Sequence, residues 1–577
     1  MPRLWIPLLV LFLIFSAIVV RLGQLQLFMH GKLTSTTNRE VVHKTVTRPL
    51  RGRVLDRAGR LLAVSLERPS IFVFKRDLQI SQASLVQAIH RLLASVSVPE
   101  AIRKLRGPSS FVWMKRLAEV QEGDRIKKAK IQGVGIEYEG KRFYPWSPVA
   151  KELIGDVGLD GDGANGLERG LEPLLDGDEE TRIVLKDALG KIFSERASSS
   201  LASSVPHGKA GPFDIYLTLD IALQALAERH AQEALLAHGA QKAMVVVQEI
   251  ATGAVLVLAS KGATDPSRVK DLDPNYAFSY TFEPGSVMKP FVLAASLDAG
   301  VVNENETIDC ENGKYRLTPT VVIEDHEPRG ILKISEILAY SSNIGMAKIG
   351  MRLGQERLYD SLGAFGFGSK TALPLTGESV GILGVPSSWS KTSLPMISFG
   401  QEIGVTAIQL VGAFSAMANE GRLLEPQIIA AIQAARSEKL LYSFQPRKIR
   451  QVLPAKIARK TLAMMEEVTR YGTGVKAQIP GYPVAGKTGT AQKIDPATRK
   501  YSRTKVVVSF CGVFPMPKPA FSICAILDEP TKPKVAWASD IAAPLFKAVA
   551  EDTINFLSLS PTEVIAAQSG KNEKKLN

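Results

Sequence analysis

Histidine and cysteine are scarce in this 577-residue chain, with seven of the first and three of the second. The cysteines, Cys310, Cys511 and Cys524, form no C-x-x-C pair, and no H-E-x-x-H occurs, so a metalloenzyme built on those motifs is excluded. There is no internal repeat. Acidic residues are outnumbered, 57 against 71 Lys plus Arg, giving a net charge of +14. That excess is not gathered into a basic stripe or a nucleic-acid motif, so no nucleic-acid partner is expected. A surface facing anionic lipid or a carboxylate-bearing polymer suits it as well.

What is present is a globular composition, 45% hydrophobic and 22% charged, in a chain long enough for two or three domains. Leu4–Val20 is an uncharged run at the short end of a membrane-spanning helix. Apolar residues continue through Leu22, Leu25, Leu27 and Phe28 with no small-x-small cleavage site, which reads as an uncleaved signal anchor over residues 4–22 after a cytoplasmic tail of residues 1–3. A cleaved signal is the alternative. Flanking charge does not orient the anchor, because Arg3 lies on one side and Arg21, Lys32 and Arg39 on the other. Arg51–Ser65 predicts strand, turn and strand, and Ile154–Gly177 a glycine-rich loop leading into a short helix. The Asp residues near Asp160 lack the later ligands of an EF-hand, and no metal is expected. Glu195–Pro212, rich in Ser, Gly and Pro, predicts a loop between a first domain at 30–200 and a second at 213–558. In the second domain a strand at 214–220 precedes a helix that Asp220 can cap and Gly239 can end, then a hairpin turning at Ala251-Thr252-Gly253. That order implies an α/β layered domain. Residues 559–577 predict a flexible tail.

A serine nucleophile needs a base, and a lysine three residues further along a helix shares its face. S-x-x-K occurs at Ser267, Ser286, Ser388 and Ser502, so the pattern alone decides nothing. Only Ser286 follows a Pro-Gly turn and opens an apolar helix, with Pro290 in the first turn where a missing N–H costs little. The helix start also favours an anion there. S-x-N occurs once, as Ser341-Ser342-Asn343, and K-T-G once, as Lys487-Thr488-Gly489, lying 55 and then 146 residues further on. This trio in this order marks penicillin-recognising serine enzymes.

With FEPGSVMKP, SSNIG and AGKTGTAQ in place, the chain resembles a class B penicillin-binding protein over nearly its whole length. SFGQEIGVTAIQL resembles a further family segment, S-F-G-Q-G-x-x-V-T-P-x-Q, departing at Glu402 and Ala407. RGRVLDRAGRLLA resembles the family's pedestal signature, and GANGLERGLE, less closely, the pedestal's G-x-x-G-x-E stretch. FEPGS together with Asn343 resembles the division-type, FtsI-like branch. The resemblance implies an α/β serine transpeptidase (β-lactamase-like) domain with an antiparallel sheet and helices, preceded by a mixed α+β pedestal of dimerisation type and one N-terminal transmembrane helix. It implies that Ser286 forms an acyl-enzyme from a D-Ala-D-Ala stem peptide, Lys289 takes its proton, Ser341 relays a proton and Asn343 bonds the substrate amide. Lys487, Thr488 and Thr490 would hold the terminal carboxylate beside Gly489, and the N–H groups of Ser286 and Thr490 would form the oxyanion hole. It implies no cofactor and no metal, β-lactams as covalent inhibitors, and a SEDS-family glycan polymerase and other divisome membrane proteins as partners. The catalytic domain would be extracytoplasmic, on a single-pass protein of the cytoplasmic (inner) membrane.

A hydrolytic relative, either a D,D-carboxypeptidase or a β-lactamase, would share the three motifs, and a non-catalytic β-lactam-binding divisome scaffold would share the architecture. Cys511 and Cys524 fall opposite each other if the hairpin of 505–514 and 520–529 turns between residues 517 and 518. A disulfide is then within reach, with Cys310 left free; against it, small buried cysteines are common strand residues, and one residue of slippage would put the two on opposite faces.

Overall fold

The computed structural model describes residues 5–29, 42–177, 180–186, 192–197, 212–263, 274–435, 437–495 and 497–562. It divides into two compact units, Met1–Arg51 with Asp176–Pro212, and Gly52–Leu175 with Phe213–Asn577. The first unit contains the helix Trp5–Gly23, whose apolar span Ile6–Leu27 exposes its side chains. It also holds a three-stranded sheet of Val42–Thr47, Glu180–Lys186 and Ile192–Ala197. That last strand takes in Glu195–Ala197, which the composition assigned to a loop; Ile192 and Phe193 lead a run with enough β propensity to pair. Residues 198–211 of that loop, Ser267 and the end of the C-terminal tail lie outside the described residues.

The compact units cut the chain differently from the linear division at residues 30–200 and 213–558. In the second unit β1 (Val54–Leu55) and β2 (Leu61–Phe74) form the expected strand-turn-strand, and β1 pairs in parallel with β3 (Phe213–Leu217). Residues on both sides of the linear boundary therefore share one seven-stranded sheet. The turn is held by the buried Asp56 carboxylate, which accepts from the N–H groups of Ala58 and Arg60 and pairs with the Arg60 guanidinium. The same Arg60 reaches Asp220, whose side chain caps α1 (Ile221–His238), and Gly239 ends that helix at φ 58°.

β4 (Lys242–Glu249) and β5 (Val255–Gly262) follow as the predicted hairpin, with Gly253 at φ 80° in its turn. Helix α2 (Lys289–Asp298) and helix α3 (Asn343–Leu353) precede the last three strands, β6 (Ala485–Ile494), β7 (Tyr501–Phe514) and β8 (Phe521–Asp528), and the closing helix α4 (Ala542–Phe556). The central sheet is antiparallel in the order β5-β4-β8-β7-β6. One core joins α1 and α4 to one face through Val245, Val247, Phe510 and Phe546. A second core joins the other face to α2 and to the helix Ala407–Ala418 through Met244, Val246, Phe291 and Phe414. Burial on both faces explains why β4 and β5 read as continuous apolar runs rather than alternating ones. In the β7–β8 hairpin Cys511 opposes Cys524 with a Cα separation of 4.2 Å, and the two are joined by a disulfide, while Cys310 is free and buried.

Candidate active site

The nucleophile turn is built by close approach. Gly285 sits at φ 57° and its N–H donates to the Gly400 carbonyl at 2.9 Å. Ser286 lies on the single 3₁₀ turn Gly285–Met288, which runs directly into α2 with Pro290 in its first turn. Across from it, a Cβ on Gly489 would lie 2.8 Å from the Pro284 carbonyl and 2.6 Å from Ser509 Oγ. The glycine of Lys-Thr-Gly is thus what lets β6 pass against the serine turn.

Lys289 is fully buried one turn after Ser286. Its Nζ donates to the Ser341 carbonyl at 2.6 Å, to Asn343 Oδ1 at 2.8 Å and to Ser341 Oγ at 3.2 Å. From β6 the equally buried Lys487 donates to Ser341 Oγ at 2.9 Å and to the Thr488 carbonyl at 3.1 Å. Ser341, held at φ 63°, therefore accepts from both lysines, which occupies its two lone pairs and leaves its proton to point elsewhere. Burial pushes the Lys289 ammonium down to about 7, against the opposing pull of the Asp325 carboxylate and of Cys310. Burial, and then the charge of Lys289, hold Lys487 well below the ordinary lysine range. Two cations share one hydroxyl, and the arrangement favours keeping one of them neutral.

Thr488 Oγ1 lies 2.7 Å from Thr473 Oγ1, and Thr490 Oγ1 accepts from the N–H of Ala538 at 3.3 Å. The structure thus brings Lys289, Ser341, Asn343, Lys487 and Thr488 into one bonded cluster, with Gly489 against the turn that carries Ser286. Ser388 and Ser502 stand elsewhere, the first on the 3₁₀ turn Pro386–Ser388 and the second in β7. Beyond Thr490, a cavity of about 350 Å³ is lined by Phe282, Glu283, Glu402, Gln492 and Val507. Burial raises the Glu283 carboxyl, which accepts from the Glu402 N–H and from Tyr501. Both family departures fit their places. Glu402 takes φ 60°, a conformation that explains glycine in the family pattern, and Ala407 is the first residue of a helix, where proline is equally suited.

Sequence reasoning missed Asp325, Thr473 and Glu283 as members of the site. The Tyr471-Gly472-Thr473-Gly474 stretch was a usable signal for the second, since a Cβ on Gly472 would lie 2.3 Å from the Ala339 carbonyl at the approach to Ser341. Asp325 has no local motif.

A buried lysine one turn after a serine, a second lysine on a sheet-edge strand and a serine between them define a serine acyltransferase of the penicillin-recognising kind. Comparison with known proteins agrees. Residues 243–551 match the penicillin binding protein transpeptidase domain, and residues 46–204 the penicillin-binding protein dimerisation domain. The chain is 30% identical to the probable peptidoglycan D,D-transpeptidase PenA of Neisseria gonorrhoeae, covering 99% of this chain and 95% of that one. It is 29% identical to the peptidoglycan D,D-transpeptidase FtsI of Escherichia coli, over 91% and 87%. Among solved structures, penicillin binding protein 3 of Mycobacterium tuberculosis complexed with ampicillin superimposes with a TM-score of 0.68 at 26% identity, over 90% and 97%. The chain belongs to the class B penicillin-binding proteins, in their FtsI-like branch, and is a serine-type transpeptidase.

Proposed function

We propose that the chain cross-links septal peptidoglycan, with Ser286 as nucleophile and Lys289 as its base. The observation that carries this reading is the buried lysine pair converging on Ser341 Oγ beside the serine turn. A neutral Lys289 amine keeps two N–H donors, enough for its two nearest acceptors, the Ser341 carbonyl and Asn343 Oδ1. Its lone pair is then free to take the Ser286 proton as Oγ adds to the carbonyl of the penultimate D-alanine. The tetrahedral oxyanion is met by the N–H groups of Ser286 and Thr490, worth ~3 kcal/mol per donor. Collapse of that intermediate breaks the peptide bond, and D-alanine leaves with a proton passed through Ser341. The substrate's terminal carboxylate lies against Lys487, Thr488 and Thr490; its charge restores the Lys487 ammonium, which in turn favours neutral Lys289. An amine of a second stem peptide then attacks the acyl-enzyme, giving the cross-link and freeing Ser286. Asn343 orients the donor peptide.

The apolar helix Trp5–Gly23 and the FtsI-like relationship support a single span in the cytoplasmic membrane, with the remainder outside, where a SEDS-family polymerase and other divisome membrane proteins would meet it. Labelling with a fluorescent penicillin tests the chemistry. Wild type is expected to label and Ser286→Ala to stay dark, with the adduct mapping to the Ser286 peptide. An adduct on Ser388 or Ser502 would overturn the assignment. A reporter fused after residue 210 should be active only when exported; cytoplasmic activity would overturn the topology.

A further inference from the structure

We propose that Asp325 is a positioning residue for acylation, fixing Ser341-Ser342-Asn343 around Lys289 from the start of α3 and presenting its carboxylate to that lysine. This rests on reading Lys289 as the base. Asp325 follows the short strand Val322–Glu324, which pairs with Lys314–Arg316. One carboxylate oxygen accepts from the N–H groups of Asn343 and Ile344, at 2.5 and 3.0 Å. The other accepts from Ser342 Oγ at 2.5 Å. Ser342 Oγ in turn accepts the Gly345 N–H at 2.9 Å, so the first turn of α3 is capped by two side chains in series. Ser342 also lies 3.3 Å from Cys310 Sγ, but its single proton goes to the nearer and charged oxygen.

The residue before Asp325 completes the frame. The Glu324 carbonyl accepts from Asn343 Nδ2 at 2.9 Å, which fixes the side-chain amide with Oδ1 towards Lys289 Nζ. With the opposite orientation Asn343 would turn an N–H donor to the lysine and repel it. Two adjacent residues of a hairpin about 18 positions upstream thus fix the backbone, the hydroxyl and the amide of the S-x-N triplet.

The charged and titratable groups facing Lys289 are Asp325, Cys310 and Lys487. Of these the carboxylate favours the ammonium and Lys487 opposes it. Replacing Asp325 with a neutral isostere therefore has two separable effects. The triplet loosens and acylation slows; and Lys289 loses its proton more readily, so the acid limb of the rate profile moves to lower pH. A merely structural residue would produce the first effect and not the second.

The test uses the full chain in detergent and measures the second-order rate of acylation by a fluorescent penicillin from pH 5.5 to 9. For Asp325→Asn the plateau is expected to fall about tenfold while the ratio of the rate at pH 6 to that at pH 8 rises roughly three- to tenfold. Ser342→Ala keeps the charge and removes two hydrogen bonds, the one to Asp325 and the one from the Gly345 N–H, so its limb stays at the wild-type pH. An unmoved limb in Asp325→Asn, or the same displacement in both variants, would overturn the proposal. Should Asp325→Asn fail to fold, Asp325→Glu carries the test: a lowered plateau with an unmoved limb supports the proposal, and a wild-type plateau overturns it. A wild-type profile without an acid limb would remove Lys289 as base, and this proposal with it.

Discussion

Buried charge is handled in opposite ways at two places in the larger compact unit. Around β1 and β3 every buried carboxylate named above has a cation against it, and a further ion pair lies nearby, Arg142 with Glu168 at 2.7 Å, both almost fully buried. In the cleft Lys289 and Lys487 are as deeply buried, yet among the described residues neither has a carboxylate within ion-pair distance. Their partners are neutral oxygens. Desolvation is compensated in the first region and left uncompensated in the second, and only the uncompensated ammonium is driven towards a titration range useful at neutral pH. Pairing produces architecture; withholding the pair leaves an amine that can lose its proton near neutral pH.

The sharpest way to break this contrast is Lys289→Arg. A guanidinium fills similar space and stays charged throughout the useful range, so acylation is expected to fall about a thousandfold with folding retained. Near-normal labelling would show that another group takes the proton. In the paired region the loss should appear in stability instead. Arg142→Met strands the Glu168 carboxylate and is expected to cost about 3–5 kcal/mol, read from denaturant unfolding, whereas Arg142→Met with Glu168→Leu recovers most of it. If the single variant is as stable as wild type, the pair is not holding that fold.

A smaller effect separates the regions by pH. With Lys289 as the proposed base, active when neutral, acylation should rise about tenfold between pH 6 and pH 8, with a midpoint near 7. The Arg142→Met/Glu168→Leu variant should keep that midpoint, since its groups do not face the cleft lysines. A displaced midpoint would mean that the two regions are electrostatically one. Smallest of all is Ala407→Pro, which touches neither set of charges. At the first position of its helix it is expected to add about 0.5 kcal/mol of stability and leave labelling unchanged. A loss would show that the departure from the family pattern is a packing requirement.

The legibility of the sequence follows the same division between local and distant physics. Asp220 and Gly239 bracket their helix because capping acts within four residues, and the β4–β5 hairpin is marked by its own turn. Ser286 could be picked from four candidates because the turn before it and the apolar helix after it are contiguous with it. The pairing of β1 with β3 joins segments about 160 residues apart through main-chain bonds that no side-chain pattern announces. Asp325 was hidden for a related reason: a capping residue supplied by another hairpin leaves no signature next to the helix it caps. Cys511 and Cys524 stood between, since their hairpin is local but its register hung on where a proline-rich turn is centred. Glu402 could be seen as a departure, but its left-handed backbone could not.

The sheet that β1 shares with β3 bears on how the protein can be cut. A fragment starting at Phe213 would lose the neighbour that covers one side of β3, opening a row of main-chain donors and acceptors between the buried Ile215 and Leu217. It would also lose Asp56, which accepts from the Ile221 N–H, and Arg60, which neutralises Asp220. An open apolar strand edge is a template for joining other chains. Such a fragment would therefore tend to self-associate, and a soluble enzyme for screening inhibitors is better begun upstream of Gly52 than at the start of the catalytic segment.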